Sequence, residues 1–346
     1  HCKTKPVYIQ NGYAHDFCGK YCAAAFRNGE RPLNSRSPSR TSNRPAYKDI
    51  CKLAGCNEPG YIGPDGIASQ WCSQRHRRQA VLNGKAEACL FCKRMPKNLV
   101  NGKQSDWCSQ RCGQEAINSA PIILPIGEKH TAFENVSSQF KIQWKHSIQV
   151  PQVVKIWKLI GDKDVIARFS RYKLTTGRRI GSESGNSRRR WHGTARACIL
   201  GDNDDETQFC QSPDCFLCSI IQSSFDKAQF LQSTNFGRFG HGIYTSATSS
   251  KADAYVRQVQ PSPYKAMLLN EVIMGNPIKL TTKDEDLTKP PDGYDSVVGE
   301  PGDELNYDES IDKGNPTGYN IGIKVLTRNY VPKGTRVSHG IDDQSS

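Results

Sequence analysis

The sequence predicts an α+β domain with a substantial antiparallel sheet, preceded by small metal-bound modules. Three observations carry this expectation. Cysteines recur in paired clusters at one spacing, short apolar runs between Gly- and Pro-rich turns fill the second part of the chain, and positive charge is concentrated in the first third. Residues 1–120 hold 19 Lys and Arg against 8 Asp and Glu, a net +11, whereas the remainder holds 28 against 26. A basic front on a near-neutral body reads either as a polyanion-facing module or as a solubilising arm. No stretch approaches the run of about 18 apolar residues that a membrane helix needs. The chain opens on His1 and reads as a fragment, so the lack of a leader segment excludes nothing.

The cysteine repeat orders the front of the chain. One copy reads Cys51-x4-Cys56-x15-Cys72-x3-His76, the next Cys89-x2-Cys92-x15-Cys108-x3-Cys112, and before both stands Cys2-x15-Cys18-x3-Cys22. An aromatic residue, Phe17, Trp71 or Trp107, directly precedes the third ligand position of each copy. Tetrahedral zinc takes four thiolate or imidazole ligands, and two close pairs let a short loop wrap the ion without a large core. Such paired clusters in a chain of 346 residues favour zinc over disulfides, and hence a reducing compartment, nucleus or cytoplasm. The x15 interval accommodates a hairpin, with turns at Asp65–Gly66 and Asn101–Gly102. The final pair of each copy suits the first turn of a helix, as over 108–118.

The "WCSQRC" form of the second pair resembles FCS- and TRASH-type treble-clef fingers, a likeness of about 25 residues per repeat that implies fold more than function. The first copy lacks its first ligand; either His15 substitutes or that site is broken. The expected organisation is a truncated finger at 1–28, a basic Arg/Ser/Pro linker at 29–47, fingers at 48–84 and 85–120, a linker at 121–145 and a catalytic domain at 146–340. RNA or DNA binding through residues 1–120 would draw on Arg75, Arg77, Arg78, Lys93, Arg94, Lys97 and Arg111. Docking of a protein partner is the alternative for such fingers.

From about 146 the apolar runs "VVKIWKLI" (153–160) and "MLLNEVIMG" (267–275) read as strands, with few long helical periods. Three short segments then follow in order. The first contains Trp191, His192, Gly193 and Thr194; the second contains Gly242, Ile243, Tyr244, Lys251 and Tyr255; the third ends at Glu309. Taken singly, His192 is an ordinary strand residue, Tyr244 or Tyr255 a half-buried tyrosine, and Glu309 part of a solvated acidic loop. The ordered combination, with "LNEVIMG" between, resembles the His–Tyr–Glu signature of the poly(ADP-ribose) polymerase superfamily.

The resemblance covers roughly 150–346 and implies an ADP-ribosyltransferase fold, two packed and largely antiparallel sheets with flanking helices, acting on NAD+. It further implies that Glu309 stabilises positive charge developing on the ribose and that His192 fixes the adenosine ribose. Gly193 and Thr194 would lie along the NAD+ site, with the Gly193 backbone on the nicotinamide amide. Tyr255 would offer a ring face to nicotinamide, Tyr244 would close the pocket, and Lys251 would stand near the reacting ribose.

The chain departs from the pattern at three places. Ala252 replaces a serine anchor, unless Ser249 or Ser250 turns inward. Ala195 stands where arginine is usual, with Arg196 one place later. Polar, Pro and Gly residues after Glu309 are expected to interrupt strand pairing, which points to transfer of single units. A fourth cluster, Cys198-x11-Cys210-x4-Cys215-x2-Cys218, is expected to bind a further structural zinc and staple an insertion near the NAD+ pocket. About three or four zinc sites are therefore expected in all. Two other functions stay open: a non-catalytic adaptor that binds nucleic acid or protein, and an NAD+ glycohydrolase.

Overall fold

A computed structural model describes residues 9–10, 13–14, 50–62, 69–100, 103–225, 237–240, 242–302, 311–314 and 322–328. The chain forms two units, His1–Cys72 and Ser73–Ser346. In the first, β1 (Ile9–Gln10) pairs antiparallel with β2 (Tyr13–Ala14). Cys2, His15, Cys18 and Cys22 lie outside the described residues. Further on, the Cys51 amide donates to the Glu58 carbonyl (2.9 Å) and Tyr61 to Trp71 (3.0 Å), folding the chain back so that Trp71 is buried just before Cys72.

The second unit opens with α1 (Gln74–Leu82), followed by β3 (Leu99–Val100), which pairs antiparallel with β4 (Lys103–Gln104); the turns expected at Asp65–Gly66 and Asn101–Gly102 lie outside the described residues. Next comes α2 (Gln110–Asn118). The "CSQR" repeat explains both helix starts. Ser73 and Ser109 are N-caps whose hydroxyls accept from the His76 and Cys112 amides at 3.2 Å, so each helix begins just after a cysteine and carries a ligand in its first turn. The helix expected over 108–118 therefore starts at Gln110, because Ser109 is its cap.

The main sheet contains β5 (Ile122–Ile126), β6 (Gln152–Ile160), β7 (Ser187–Gly193), β9 (Ile243–Ser246), β11 (Lys265–Ile273), β12 (Pro277–Leu280), β13 (Ser296–Gly299), β14 (Ile311–Gly314) and β15 (Gly322–Arg328). Their order is β12-β13-β14-β9-β7-β11-β15-β6-β5, with only β12–β13 parallel. The expected two-sheet arrangement is visible within it: β7 and β9 meet at a single pair, Trp191 opposite Ser246, so five strands and four strands join at one point. A short ribbon of β8 (Ala195–Arg196) and β10 (Arg257–Gln258) lies alongside. The helices are α3 (Thr131–Ile142), α4 (Lys163–Ile180), α5 (Phe216–Ser223) and α6 (Ser249–Ala254).

Alternation along β11 divides the core. Met267 and Leu269 pack with Phe140, Trp144, Trp191 and Ala252 on one face. Ala266 and Leu268 pack with Trp157, Cys198, Leu217 and Ile221 on the other. Full burial of a side chain such as Phe140 or Leu268 contributes on the order of 2 kcal/mol.

Two expectations need correction. The segment 121–145, expected as a linker, carries β5 and α3; Pro125 is tolerated there because β5 is the outermost strand and needs no outward amide. After Glu309, pairing is not interrupted at once: Ile311–Gly314 pairs with β9 on one side and β13 on the other, since ladder bonds use the backbone whatever the side chains.

The third finger is joined to this sheet. Leu90, Phe91 and Trp107 pack with Ile122, Leu124 and Ile160. Beside them the side chain of Lys97, 4% exposed, pairs with Glu87 (3.5 Å) and Asp106 (3.3 Å), and Asp106 pairs with Lys158 of β6 (2.6 Å). Burial tends to raise the Asp106 carboxyl, but Lys158 and Lys97 more than offset this and hold it below its usual value. The His130 ring, at the start of α3, closes the cluster; burial and then the Lys97 ammonium push its pKa down.

Candidate active site

His192 follows the buried Trp191 near the end of β7, and Tyr244 lies on β9 just beyond the point where the two strands separate. Continued past Trp191–Ser246, the register would set Gly193 opposite Tyr244. Instead the Tyr244 carbonyl accepts from His192 Nδ1 at 2.8 Å. A carbonyl can only accept, so Nδ1 carries the proton, leaving Nε2 of the neutral ring as an acceptor. Desolvation pushes the His192 pKa down, against a smaller upward effect of the Tyr244 carbonyl.

The Tyr244 phenol is tethered as well. Its hydroxyl donates to the Gly240 carbonyl (2.7 Å) and accepts from the Phe239 amide (3.0 Å). A Cβ on Gly237 would fall 2.2 Å from the ring, so the turn before β9 can wrap the phenol only with glycine there.

Gly193 has its own packing reason. A Cβ there would lie 1.9 Å from the Ala252 carbonyl oxygen, so the end of β7 and helix α6 meet backbone to backbone. Thr194 accepts through its carbonyl from the Arg257 amide (3.2 Å). Lys251 is 9% exposed on α6, and Tyr255 caps that helix with 61% of its surface open. Ser249 donates to the Phe140 carbonyl (2.7 Å) and Ser250 accepts from the Lys145 amide (3.0 Å); both are fully buried against the end of α3. The structure thus brings His192, Gly193, Tyr244 and α6 together, while Glu309 lies outside the described residues.

Arg196 is a structural hub. It is fully buried and donates to Gln258 Oε1 (2.9 Å), Asp202 Oδ1 (2.5 Å), Ser262 Oγ (2.7 Å) and the carbonyls of Tyr264 (2.9 Å) and Leu200 (3.3 Å). It fixes the acidic loop after β8 rather than pointing at the junction. Phe225 went unnoticed in the sequence, where a lone phenylalanine at the end of an insertion carries no signal; its ring meets that of His192 edge-on at 4.9 Å. A shallow cleft of about 200 Å³ lies away from these residues, lined by Phe133, Lys155, Trp157 and Asp204.

Among the described residues, three groups of side chains could hold a metal ion. They are Cys51, Cys56, Cys72 with His76; Cys89, Cys92, Cys108, Cys112; and Cys198, Cys210, Cys215, Cys218, the ligand atoms of each within 4.8 Å of one another. Among the described residues no cysteine is in a disulfide. Sulfur separations within these groups run from 3.4 Å (Cys108–Cys112) and 3.6 Å (Cys198–Cys215, Cys198–Cys218) to 3.7 Å (Cys56–Cys72, Cys92–Cys108). Thiolates about 2.3 Å from a tetrahedral zinc stand about 3.8 Å apart, so the geometry fits. Burial raises the Cys92 thiol, but the amides of Arg94 and Met95 and the sulfurs of Cys108 and Cys89 outweigh it and bring the pKa down to about 7.

A family model described as "Poly(ADP-ribose) polymerase catalytic domain" matches residues 131–320, more than half of the chain. The chain belongs to the poly(ADP-ribose) polymerase catalytic domain family. The match spans α3, the junction of β7 and β9, and β14. The mouse "Protein mono-ADP-ribosyltransferase PARP3" is 28% identical over 160 residues, which are 45% of this chain and 24% of the mouse protein. The chain therefore covers about a quarter of the length of that curated relative. Within this poly(ADP-ribose) polymerase-type domain, the cysteine group at 198–218 follows the His192 strand and precedes the Tyr244 strand. No described helix is long and apolar enough to cross a membrane.

Proposed function

We propose that the chain is an NAD+-using ADP-ribosyltransferase that attaches single ADP-ribose units to a protein or nucleic-acid acceptor, in an intracellular reducing compartment, with zinc as a structural metal. The observation that carries this reading is the junction of β7 and β9. There an oriented neutral imidazole, a tethered phenol and the glycine-permitted contact with α6 converge in a domain of the right family. The name of the mouse relative, a mono-ADP-ribosyltransferase, supports the single-unit form.

In this reading the protonated Nδ1 of His192 is held by Tyr244, and Nε2 accepts from an adenosine ribose hydroxyl. The open ring of Tyr255 stacks on nicotinamide, with the Gly193 backbone and Thr194 along the same subsite and Lys251 near the ribose. The bond between ribose C1′ and nicotinamide breaks, its electron pair leaving with nicotinamide. The Glu309 carboxylate offsets the positive charge on the sugar. An acceptor oxygen or nitrogen then bonds to C1′ and gives up its proton. Glu309 stands two residues before Ile311, which pairs with Ser246 of β9; two residues of chain reach at most about 7 Å, which suits this role. Zinc at the three cysteine groups would supply folding energy and no chemistry, because four protein ligands leave no open position.

Incubation with labelled NAD+ tests the activity. Label on protein or nucleic acid supports transfer, free ADP-ribose means hydrolysis instead, and intact NAD+ means a non-catalytic adaptor. Glu309→Gln is expected to cut turnover by about 10²–10³ while NAD+ binding, followed by calorimetry, stays near wild type. Equal loss of both would remove Glu309 from the mechanism.

A further inference from the structure

Among its described residues, the insertion between β8 and β9 reaches the junction through the ring of Phe225. Its cysteine group ties three places together: Cys198, six positions after His192; Cys215, the N-cap residue of α5; and Cys218, in the first turn of that helix. Leu217 and Ile221 seat α5 against Trp157 and Leu200. The helix ends at Ser224 with φ 64° and ψ −162°, a region that is almost exclusively glycine's and that a serine keeps only where its surroundings impose it. That turn delivers Phe225, whose ring meets the His192 imidazole at 4.9 Å with the planes 87° apart. The imidazole is thereby gripped twice, at Nδ1 by the Tyr244 carbonyl and across the ring by Phe225.

Building on the reading of His192 as an NAD+-binding residue, we propose that Phe225 is a positioning residue for His192 and that the metal held by Cys198, Cys210, Cys215 and Cys218 sets where Phe225 stands. The cysteine group fixes the start of α5 to the chain leaving the His192 strand. The helix is rigid over its two turns, so its far end is placed by its near end. Without the metal, α5 loses that tether and the ring leaves the imidazole. NAD+ affinity then depends on a metal centre that touches no part of NAD+.

The test uses the full chain, a non-hydrolysable NAD+ analogue followed by calorimetry, zinc content, and melting temperature. Phe225→Ala is expected to keep its zinc and its melting temperature while weakening analogue binding about three- to tenfold. In turnover it should raise KM for NAD+ more than it lowers kcat. Phe225→Tyr should recover binding and Phe225→Leu should not, because a space-filling role needs only the volume and a positioning role needs the ring. Cys210→Ser, at the more exposed ligand, should lose one zinc equivalent and weaken binding similarly, and adding Phe225→Ala to it should weaken binding no further. Wild-type affinity in Phe225→Ala, or full recovery by Phe225→Leu, would overturn the positioning role. Wild-type affinity in zinc-depleted Cys210→Ser would overturn the link to the metal. If the unaltered chain fails to bind the analogue, it is the proposed function that fails.

Discussion

Gly193 and His192 are adjacent, yet their side-chain positions answer to different partners. Position 193 faces the Ala252 carbonyl and has room for hydrogen only, so Gly193→Ala should push α6 from the end of β7 at a cost of about 1–3 kcal/mol. A lowered denaturation midpoint together with weaker NAD+ binding is the expected result; an unchanged midpoint would contradict the contact. His192 is held neutral by desolvation, with its folded pKa below the ordinary 6.5. Below pH 6.5 the unfolded chain takes up a proton that the folded chain refuses, so stability falls as acid is added until the folded pKa is passed. His192→Asn, which keeps a donor for Tyr244, should flatten that acid-side loss in denaturation curves recorded between pH 7 and pH 5. A steeper slope in the variant would reverse the sign assigned to His192.

Among the elements, the sequence was most readable where chemistry repeats. The final pair of each cysteine copy announced a helix, and the apolar runs at 153–160 and 267–275 became β6 and β11. Helix α4 escaped notice because its buried line is Val165, Phe169, Thr176 and Gly177, too thin in apolar residues to show a helical period amid six Lys and Arg. Phe225 escaped for a related reason: its meaning comes from the turn at Ser224, which composition does not reveal. Glu309 remains assigned by resemblance alone. The packing of the third finger on β5 and β6 was equally hidden, since Leu90 looks like any residue beside a cysteine. Its consequence is measurable. Leu90→Ala should remove about 2–5 kcal/mol from the unfolding free energy of the second unit, read at constant m-value. A transition of the catalytic domain that ignores this change would mean the finger is merely tethered.

Charge distribution is a property of the whole molecule, and the fold redistributes the residues that carry it. Of the basic residues expected to meet phosphates, Lys97 is spent on Glu87 and Asp106, and Lys93 donates to the Pro125 carbonyl (2.8 Å). Arg75 and Arg78, on α1, remain exposed. Reversing both to Glu should weaken RNA or DNA binding and flatten the log–log salt slope by about 1–2, without lowering the melting temperature. Binding that ignores the reversal would favour a protein partner.

The position of β5 also governs how this protein can be divided. The family match starts at residue 131, whereas the sheet starts at Ile122, on a strand covered by Lys93, Leu90 and Trp107. A truncation at the match would strip β6 of its neighbour along Ile156–Ile160, the five residues paired with β5, and leave their outward donors and acceptors, with Ile156 and Leu159 among them, open to any passing strand. β5 is in that sense a guard against self-association, and a catalytic fragment has to keep it together with the residues that pack on it.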